Sequence, residues 1–327
     1  MRHIQALAGA LHKARVGEIR LEERMSNYTT MGVGGPCRAL VRPPDLASLE
    51  RLIEVLGEIE LTYLPVGGGS NLLVADVGFD GVIIATDALQ EWDEFEGFTL
   101  RTGAGVATAR IVKWASSRNL TGLEGLAGVP GSIGGACVMN AGGQGGGIER
   151  SLVSVEVVTA PPAVHLVTVE AVALNLAYRS SSLPAGSVIG RVELRMEEAE
   201  EPKIVSERIR ELLAHRRETQ PVSVLSMGSV FKNPQGDSAG RLIDECGLKG
   251  LSEGDAVVSN IHANYVVNTG GATAAQIRTL IERIRDSVET LTGTRLEMEV
   301  VPVGFEGDPA PAMAWVPSVN WVKGGRR

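Results

Sequence analysis

Apolar residues recur at helical spacing in two stretches of the chain, and each stretch has its own start signal. Residues 45–58 begin with Asp45, which is placed to be an N-cap. Residues 273–293 begin with a Thr273/Gln276 capping box and end at Gly293. The apolar positions are Leu46, Leu49, Leu52, Ile53 and Leu56 in the first stretch, and Ile277, Leu280, Ile281, Ile284 and Val288 in the second. Both stretches are predicted to be amphipathic helices.

Two other segments have weaker helical patterns. The stretch "TARIVKWASSRNLTG" predicts a helix with Thr108 as its N-cap and Gly122 near its end. The stretch "EEAEEPKIVSERIRELLAHRRETQ" predicts a charged helix and marks a change of composition near Glu197. Its apolar side consists of Val205, Ile209, Leu212 and Leu213. We expect this charged helix to lead into a new domain.

Alternating or β-branched stretches between these helices predict strands. They are "CRALVRP", "GVIIAT", "FTLRTGAGV", "SLVSVEVVTA", "AVHLVTVEA", "GSVIGRVELRM" and "RLEMEVVPVGF". In the last stretch, one face carries Leu296, Met298 and Val300, and the other carries Glu297, Glu299 and Val301. That alternation is typical of an edge strand with one solvated face. Many short strands mixed with helices indicate an α+β fold.

Composition and charge narrow the classes of function. The chain has 327 residues, 44% of them hydrophobic, and a net charge of −8, so we expect two or three globular domains and no nucleic acid partner. Cys37, Cys137 and Cys246 are far apart and form no C-x-x-C motif, which favours reduced thiols. Charge interrupts the first residues too early for a secretory signal, and no apolar run approaches the roughly 18 residues of a membrane span. A cytoplasmic protein without a membrane partner is expected.

Two glycine-rich stretches are candidates for ligand contact. Residues 66–73, "VGGGSNLL", lie between apolar strands, and residues 125–143, "GLAGVPGSIGGACVMNAGG", have the same character. Uncovered main-chain N–H groups suit close approach to a phosphate, whereas the alternative is a pair of tight turns. Two such loops favour a cofactor that carries a pyrophosphate. Residues 103–108, "GAGVAT", lack the third glycine of a nicotinamide fingerprint, and no P-loop motif is present.

The stretch "SMGSVFKNPQGDSAG" contains two serines with different contexts. Ser238 fits the G-x-S-x-G pattern of hydrolase nucleophiles, but a turn precedes it and a helix follows it, which favours an N-cap. Ser229 stands at the predicted start of a strand and is either a turn residue or a weakly acidic hydroxyl in a site. Arg179 lies in a polar turn, where a surface position is the simplest interpretation. The five histidines have no ligand spacing, so no metal site is expected.

Taken together, several motifs resemble one family closely. They are "NYTTMGVGGPC", "LPVGGGSNLLVAD", "GLEGLAGVPGSIGGACVMNAGG", "YRSS", "GSVFKNP", "AGRLIDECGLKG", "SNIHANYVVNTGGAT" and "LEMEV", in that order. The chain resembles the UDP-N-acetylenolpyruvoylglucosamine reductase family, in its shorter, second type. The resemblance implies an α+β fold with an FAD-binding region of the vanillyl-alcohol-oxidase type. It implies FAD-binding subdomains at residues 1–87 and 88–198, an α+β substrate-binding domain at 199–305, and a mobile tail at 306–327.

The resemblance also implies roles for single residues. By the family pattern, the FAD-binding residues are Gly67, Gly68, Gly69, Ser70, Asn71 and Leu72 in the first loop and Val129, Pro130, Gly131, Ser132, Ile133, Gly134 and Gly135 in the second. The catalytic residues carried over are Arg179, Ser229 and Glu299, and the substrate-binding residues are Tyr178, Lys232 and Asn233. Ser229 is then the chemical serine, and Ser238 is not.

The implied reaction uses FAD and NADPH to reduce the enol ether of UDP-N-acetylglucosamine enolpyruvate, a small-molecule substrate. Developing negative charge next to the substrate carboxylate needs Arg179 and a protonated Glu299, so we predict a raised pKa for Glu299. Ser229 is expected to supply the proton. Nicotinamide and substrate are expected to take turns, and a monomer is expected.

One loop departs from the family pattern. Residues 139–149 read "MNAGGQGGGIE", without the aromatic residue and the acid expected there, which puts in doubt any ligand contact made by that loop. The alternatives are another FAD-dependent sugar or alcohol oxidoreductase of the same fold, a nucleotide-binding module without catalysis, and a hydrolase that uses Ser238.

Overall fold

The computed structural model describes residues 2–308 and residue 314. The tail expected from residue 306, with Trp315 and Trp321, lies outside the described residues from 309 onward, apart from Ala314. The α-helices are α1 (Arg2–Ala14), α2 (Leu46–Glu58), α3 (Thr108–Ser117), α4 (Ile133–Val138), α5 (Ile204–Thr219), α6 (Ala239–Glu245) and α7 (Ala274–Thr292). No helix in this part of the chain is long and apolar enough to cross a membrane.

The strongest helix predictions are confirmed. Asp45 caps α2 by accepting a hydrogen bond from the Ser48 amide, and the Thr273/Gln276 capping box opens α7. The predicted cap of α3 is wrong, because the helix begins at Thr108 and its N-cap is Ala107. The Thr108 hydroxyl instead donates to the carbonyl oxygen of Val129 at 2.7 Å. A hydrogen bond from Thr108 to the second glycine loop therefore takes the place of the expected N-cap.

The strands form three main sheets that follow one another along the chain. The first, of order β1-β2-β5-β3, contains β1 (Glu18–Leu21), β2 (Cys37–Arg42), β3 (Tyr63–Val66) and β5 (Phe79–Ala85). The second, antiparallel and of order β12-β11-β13-β7-β6, contains β6 (Trp92–Phe95), β7 (Thr99–Gly103), β11 (Leu152–Val158), β12 (Leu166–Glu170) and β13 (Val188–Arg195). The third, of order β15-β18-β17-β16, contains β15 (Leu225–Ser229), β16 (Ser252–Glu253), β17 (Ala256–Val258) and β18 (Tyr265–Asn268).

Short strand pairs connect these sheets. They are β4 (Leu72–Val74) with β19 (Val301–Val303), β8 (Leu120–Thr121) with β14 (Glu197–Glu198), and β9 (Gly142–Gly143) with β10 (Gly146–Gly147). The predicted last strand is shorter than expected. Residues 295–300 run beside residues 230–232 and form an isolated bridge between Phe231 and Met298. The predicted solvated face is also wrong in part, because Glu297 is exposed whereas Glu299 is half-buried.

Helix α5 packs against the sheet that precedes it, a contact that its sequence did not predict. The apolar side chains of Ile209, Leu212 and Leu213 lie against the core of the second sheet, together with Leu126 and Ile148. The helix thus covers the core of the second sheet, and the chain continues from its end into the third sheet. The boundary predicted between residues 198 and 199 stays a prediction.

Two neighbouring contacts help to attach the C-terminal region, which carries the third sheet and α7, to the first region, which carries the first sheet. Strand β19 pairs in parallel with β4. Just beyond β4, the Asp76 carboxylate accepts hydrogen bonds from the amides of Ala274 and Ala275, each at 2.9 Å. These amides belong to the first turn of α7, whose N–H groups have no partners within the helix. An acid from one region therefore completes the cap of a helix in another.

We expect Asp76→Ala to lower the free energy of unfolding by about 1 kcal/mol, because two N–H groups of α7 lose their acceptor. Asp80→Ala is the matched control. The Asp80 side chain is 84% exposed and makes only a surface ion pair with Arg38, so a change below about 0.5 kcal/mol is expected. Chemical denaturation of the purified variants measures both. Equal losses in the two variants would contradict the role given to Asp76.

Candidate active site

A cleft of about 450 Å³ lies where the three regions meet. Its wall combines the two glycine loops with Arg179, from the segment before β13, and with Ser229 and Glu299 of the C-terminal region. The predicted FAD-binding residues in the wall are Gly67, Gly68, Gly69, Ser70, Asn71, Leu72, Val129, Pro130, Gly131, Ser132, Gly134 and Gly135. The cleft therefore brings together the residues that the sequence assigned to cofactor and to catalysis.

The glycine loops approach each other backbone to backbone. A Cβ atom added at Gly68 would lie 2.5 Å from the Cα atom of Gly131, and one added at Gly69 would meet the Tyr28 carbonyl oxygen. Gly69 also has a φ of +60°. The amides of Gly68, Gly69 and Gly131 donate to no residue in the described part of the chain. Free N–H groups in a Cβ-free cradle fit the pyrophosphate of FAD.

Ile133 is the exception among the predicted FAD contacts. Its side chain is fully buried in the core of the second sheet, and it is not part of the cleft wall. Its amide donates to the Val106 carbonyl oxygen at 2.9 Å. Neither the side chain nor the amide of Ile133 is therefore free for a ligand.

Asn71 links the first glycine loop to the Glu299 segment. Its side-chain amide donates to the Glu299 carbonyl oxygen at 3.0 Å, and its own carbonyl oxygen accepts from the Val301 amide at 3.0 Å. These bonds continue directly into the β4–β19 pair. The position of Glu299 is thus fixed relative to the loop predicted to hold the cofactor.

Arg179 and Glu299 form an ion pair in the cleft. The Arg179 Nε atom lies 2.7 Å from Glu299 Oε1, with the two side chains 22% and 13% exposed. The N–H direction is not aligned for a hydrogen bond, so Nε remains a buried donor without an acceptor. A second guanidinium nitrogen donates to the Gly142 carbonyl oxygen at 3.0 Å. The altered glycine-rich loop therefore still contributes, through its main chain, to placing the arginine.

Arg179 occupies an unfavourable backbone conformation. Its φ is +55°, in the left-handed region that non-glycine residues seldom adopt. The turn is held by a bridge between Ala177 and Ser180 and by a hydrogen bond from the Asn140 side chain to the Ala177 carbonyl oxygen at 3.0 Å. Strain of this kind is kept where the surrounding structure imposes it, and it is concentrated at functional sites. The interpretation of Arg179 as a simple surface residue does not fit this turn.

Burial raises the pKa of Glu299, while the charges of Arg179 and Lys232 oppose the rise. The direction agrees with the raised pKa predicted from the sequence. Two effects therefore oppose each other in the protonation equilibrium of Glu299. Burial favours the neutral acid, and the charge of Arg179 favours the carboxylate. A further negative charge in the cleft would favour the acid.

Ser229 ends a strand instead of starting one, so that part of the prediction is wrong. A bulge between Ser226 and Ser229 shifts the register of β15 against β18. Gly228 within it has a φ of +76°, with no described atom within 4 Å of an added Cβ, so backbone conformation and not space requires glycine. After the bulge, the Val230 carbonyl oxygen accepts from the Glu299 amide at 2.8 Å. Ser229 and Glu299 are thereby fixed next to each other.

Tyr178, Lys232 and Asn233 lie beside the cleft, and none of them is in its wall. The Lys232 ammonium lies 2.6 Å from Glu297 Oε1, and the Tyr178 hydroxyl accepts from the Asn233 amide at 3.3 Å. The Asn233 side chain accepts from the Ala239 amide at the start of α6. Their predicted contact with substrate stays a prediction.

Ser238 is an N-cap, as its sequence context favoured. Its hydroxyl accepts from the Arg241 amide at 3.5 Å at the start of α6, and it is not part of the cleft wall. Among the described residues, no cluster of three or more histidine, cysteine or acidic side chains is arranged for a metal ion. The turn that carries Ser238 is not the strand-to-helix elbow on which a serine hydrolase places its nucleophile.

Sequence reasoning missed several residues of the cleft wall, among them Arg216, Gln220 and Tyr265. Arg216 and Gln220 belong to the charged helix α5 and the residue after it, where a polar residue carries no distinguishing signal. Tyr265 lies inside the motif "SNIHANYVVNTGGAT", but its neighbours depend on the register of two strands.

We expect Gly68→Ala to weaken FAD binding about tenfold to a hundredfold, because the added methyl group meets the Gly131 backbone and overpacking costs about 1–3 kcal/mol. Gly9→Ala in α1 is the control, since no described atom lies within 4 Å of its added Cβ. Titration of each apoprotein with FAD, followed by flavin fluorescence, gives the dissociation constants. Unchanged affinity in Gly68→Ala would remove the loop from the FAD site.

Family models match both halves of the chain. The FAD-binding domain model matches residues 37–165, and the model of the UDP-N-acetylenolpyruvoylglucosamine reductase C-terminal domain matches residues 220–303. The predicted FAD cofactor and the α+β fold with an oxidase-type FAD-binding region and a C-terminal domain are thereby confirmed. The protein is an FAD-containing oxidoreductase.

Full-length relatives and a crystal structure extend the match. UDP-N-acetylenolpyruvoylglucosamine reductase of Geobacter sulfurreducens is 40% identical over 300 residues, covering 92% of this chain and 99% of the relative. The Geobacter metallireducens reductase is 41% identical over 290 residues, covering 89% and 95%. The crystal structure of the Thermus caldophilus reductase superposes with a TM-score of 0.74 at 38% identity, covering 88% and 98%. The chain belongs to the UDP-N-acetylenolpyruvoylglucosamine reductase family.

Proposed function

We propose that this protein reduces the enolpyruvyl group of UDP-N-acetylglucosamine enolpyruvate to give UDP-N-acetylmuramate, with NADPH as the reductant, in the synthesis of peptidoglycan precursors. The observation that carries the proposal is the meeting of Arg179, Ser229 and Glu299 in the wall of one cleft with the two glycine loops. The names of the relatives support the same substrate.

The glycine loops hold the cofactor and the C-terminal region faces it. FAD held by these loops would supply hydride transfer from NADPH to the β-carbon of the enolpyruvyl group. The amides of Gly68, Gly69 and Gly131 are free to bind the pyrophosphate. Nicotinamide and substrate take turns in the same cleft, which predicts ping-pong kinetics.

Arg179 binds the substrate carboxylate and stabilises the charge that grows there. As the β-carbon gains a hydride, negative charge spreads from the α-carbon onto the carboxylate. A cation already fixed by Gly142 and Glu299 meets that charge without rearrangement, which makes its stabilisation large.

Glu299 changes its protonation state when the substrate arrives. Its pKa is already raised by burial. A substrate carboxylate next to Arg179 adds a second negative charge, and like charges raise a carboxyl pKa further. Glu299 then holds a proton and donates a hydrogen bond to the developing enolate.

Ser229 supplies the proton that completes the reduction. Ser229 belongs to the cleft wall. The carbonyl oxygen of the next residue, Val230, accepts a hydrogen bond from the Glu299 amide. The serine Oγ–H bond breaks as the new bond to the α-carbon forms. Tyr178, Lys232 and Asn233, beside the cleft, hold the rest of the substrate.

An anaerobic visible spectrum tests the proposal in one cuvette. Flavin bands that bleach with NADPH and return with UDP-N-acetylglucosamine enolpyruvate are the expected result. Bands that bleach and stay bleached would refute this substrate and direct attention to another sugar or alcohol with the same fold. A protein that cannot be reconstituted with FAD would refute the whole scheme.

Ser229→Ala is expected to slow the return of the flavin bands by about a hundredfold to ten-thousandfold, because the proton donor is lost. Bleaching by NADPH should stay near normal, since that half-reaction does not use the serine proton. Stopped-flow absorbance measures the two rates separately. Equal slowing of both halves would refute the proton-donor role.

Ser238→Ala is the matched control for this variant. It removes a hydroxyl that caps α6 outside the cleft wall. Both half-reactions should proceed near the normal rate, while the free energy of unfolding falls by about 1 kcal/mol. A large loss of turnover in Ser238→Ala would revive the hydrolase-type interpretation.

A further inference from the structure

Tyr265 stands directly opposite Ser229 in the third sheet. The two are paired in the antiparallel register of β15 and β18, just after the bulge at Gly228. Directly opposed residues in such a pair have their Cβ atoms about 4.5–5.5 Å apart, on the same face of the sheet. Both side chains belong to the cleft wall. The bulge that aims Ser229 into the cleft therefore also sets it beside a phenol.

The Tyr265 hydroxyl, on the residue opposite Ser229, is held by a hydrogen bond. It donates to Gln220 Oε1 at 3.1 Å. Tyr265 is only 8% exposed, so its ring is fixed by packing, while Gln220 is half-buried at the cleft wall. Burial raises the pKa of Tyr265, and the charge of Arg216 opposes the rise. The phenol is thus neutral and keeps its proton at neutral pH.

As a proton donor, Ser229 needs a nearby group that can return a proton to it. A serine hydroxyl is a weak acid, and it must regain a proton after each turnover. Glu299 is paired with Arg179 and, once protonated, donates its proton to a hydrogen bond with the developing enolate, while Lys232 is paired with Glu297. Tyr265 stands opposite Ser229 in the strand pair and in the same cleft wall, and it carries a phenolic proton.

We propose that Tyr265, whose hydroxyl is held by Gln220, is a positioning residue for the Ser229 hydroxyl. It also returns a proton to Ser229 after each turnover. The inference rests on the proposed function, because it concerns the proton that Ser229 gives up. In the resting site, Tyr265 donates to Gln220, and Ser229 lies opposite Tyr265 in the strand pair. When substrate takes the Ser229 proton, the Tyr265 hydroxyl turns toward the serine oxygen.

The protons balance over one turnover. The Ser229 Oγ–H bond breaks as the α-carbon gains its hydrogen. The Tyr265 O–H bond breaks as the Ser229 Oγ–H bond forms again. The phenolate then takes a proton from water that enters the cleft at Gln220. One proton from solvent is consumed for each product molecule.

Tyr265→Phe tests this role while keeping the ring that fills the wall. In the FAD-loaded protein, we expect the return of the flavin bands with UDP-N-acetylglucosamine enolpyruvate to slow about tenfold or more. The solvent deuterium isotope effect on that rate should increase, because proton transfer limits the step more strongly without the phenol. Bleaching by NADPH should be unchanged. A loss of packing alone would not change the isotope effect.

Tyr63→Phe is the control, because Tyr63 is also a buried phenol, fully enclosed and donating to the Gly186 carbonyl oxygen at 2.6 Å. Its loss should lower stability and leave both half-reactions and the isotope effect unchanged. A Tyr265→Phe protein with the wild-type rate and isotope effect would overturn the role of Tyr265. Failure of the wild-type protein to restore its flavin bands would instead overturn the proposed function.

Discussion

The ion pair between Arg179 and Glu299 is the contact on which the site depends. Its partners come from different parts of the chain, and each is held by its own main-chain bonds: Arg179 by the Gly142 carbonyl oxygen, and Glu299 by Asn71 and Val230. A half-buried pair is stable only when both ions have such partners, since removing charges from water is costly. The three regions must therefore pack together before the cleft has its charge pattern.

Much of the fold could be predicted because its signals are local. The stripes and caps of α2 and α7 lie within single short stretches, and both helices form as expected. The cleft was identified in another way. Neither Arg179 nor Ser229 has a local pattern that distinguishes it from a turn residue, so their placement in one site came from the order of motifs along the chain. Their roles in the reaction stay proposals.

The features that sequence reasoning missed depend on contacts between distant segments. Thr108 is bonded to the second glycine loop, and Ile133 uses its amide and side chain inside the core. Tyr265 meets Ser229 only because of a bulge in the strand register. Periodicity gives the face of a strand, but a one-residue shift in register changes which neighbours meet.

A double-mutant cycle on the central ion pair is the most direct measurement. The variants are Arg179→Gln, Glu299→Gln and the combination, and the rate is that of flavin reoxidation by UDP-N-acetylglucosamine enolpyruvate. If the two side chains act on the substrate as one unit, the combined variant is slowed much less than the product of the two single effects. Slowing by the full product would mean that the residues act independently and would contradict a shared site.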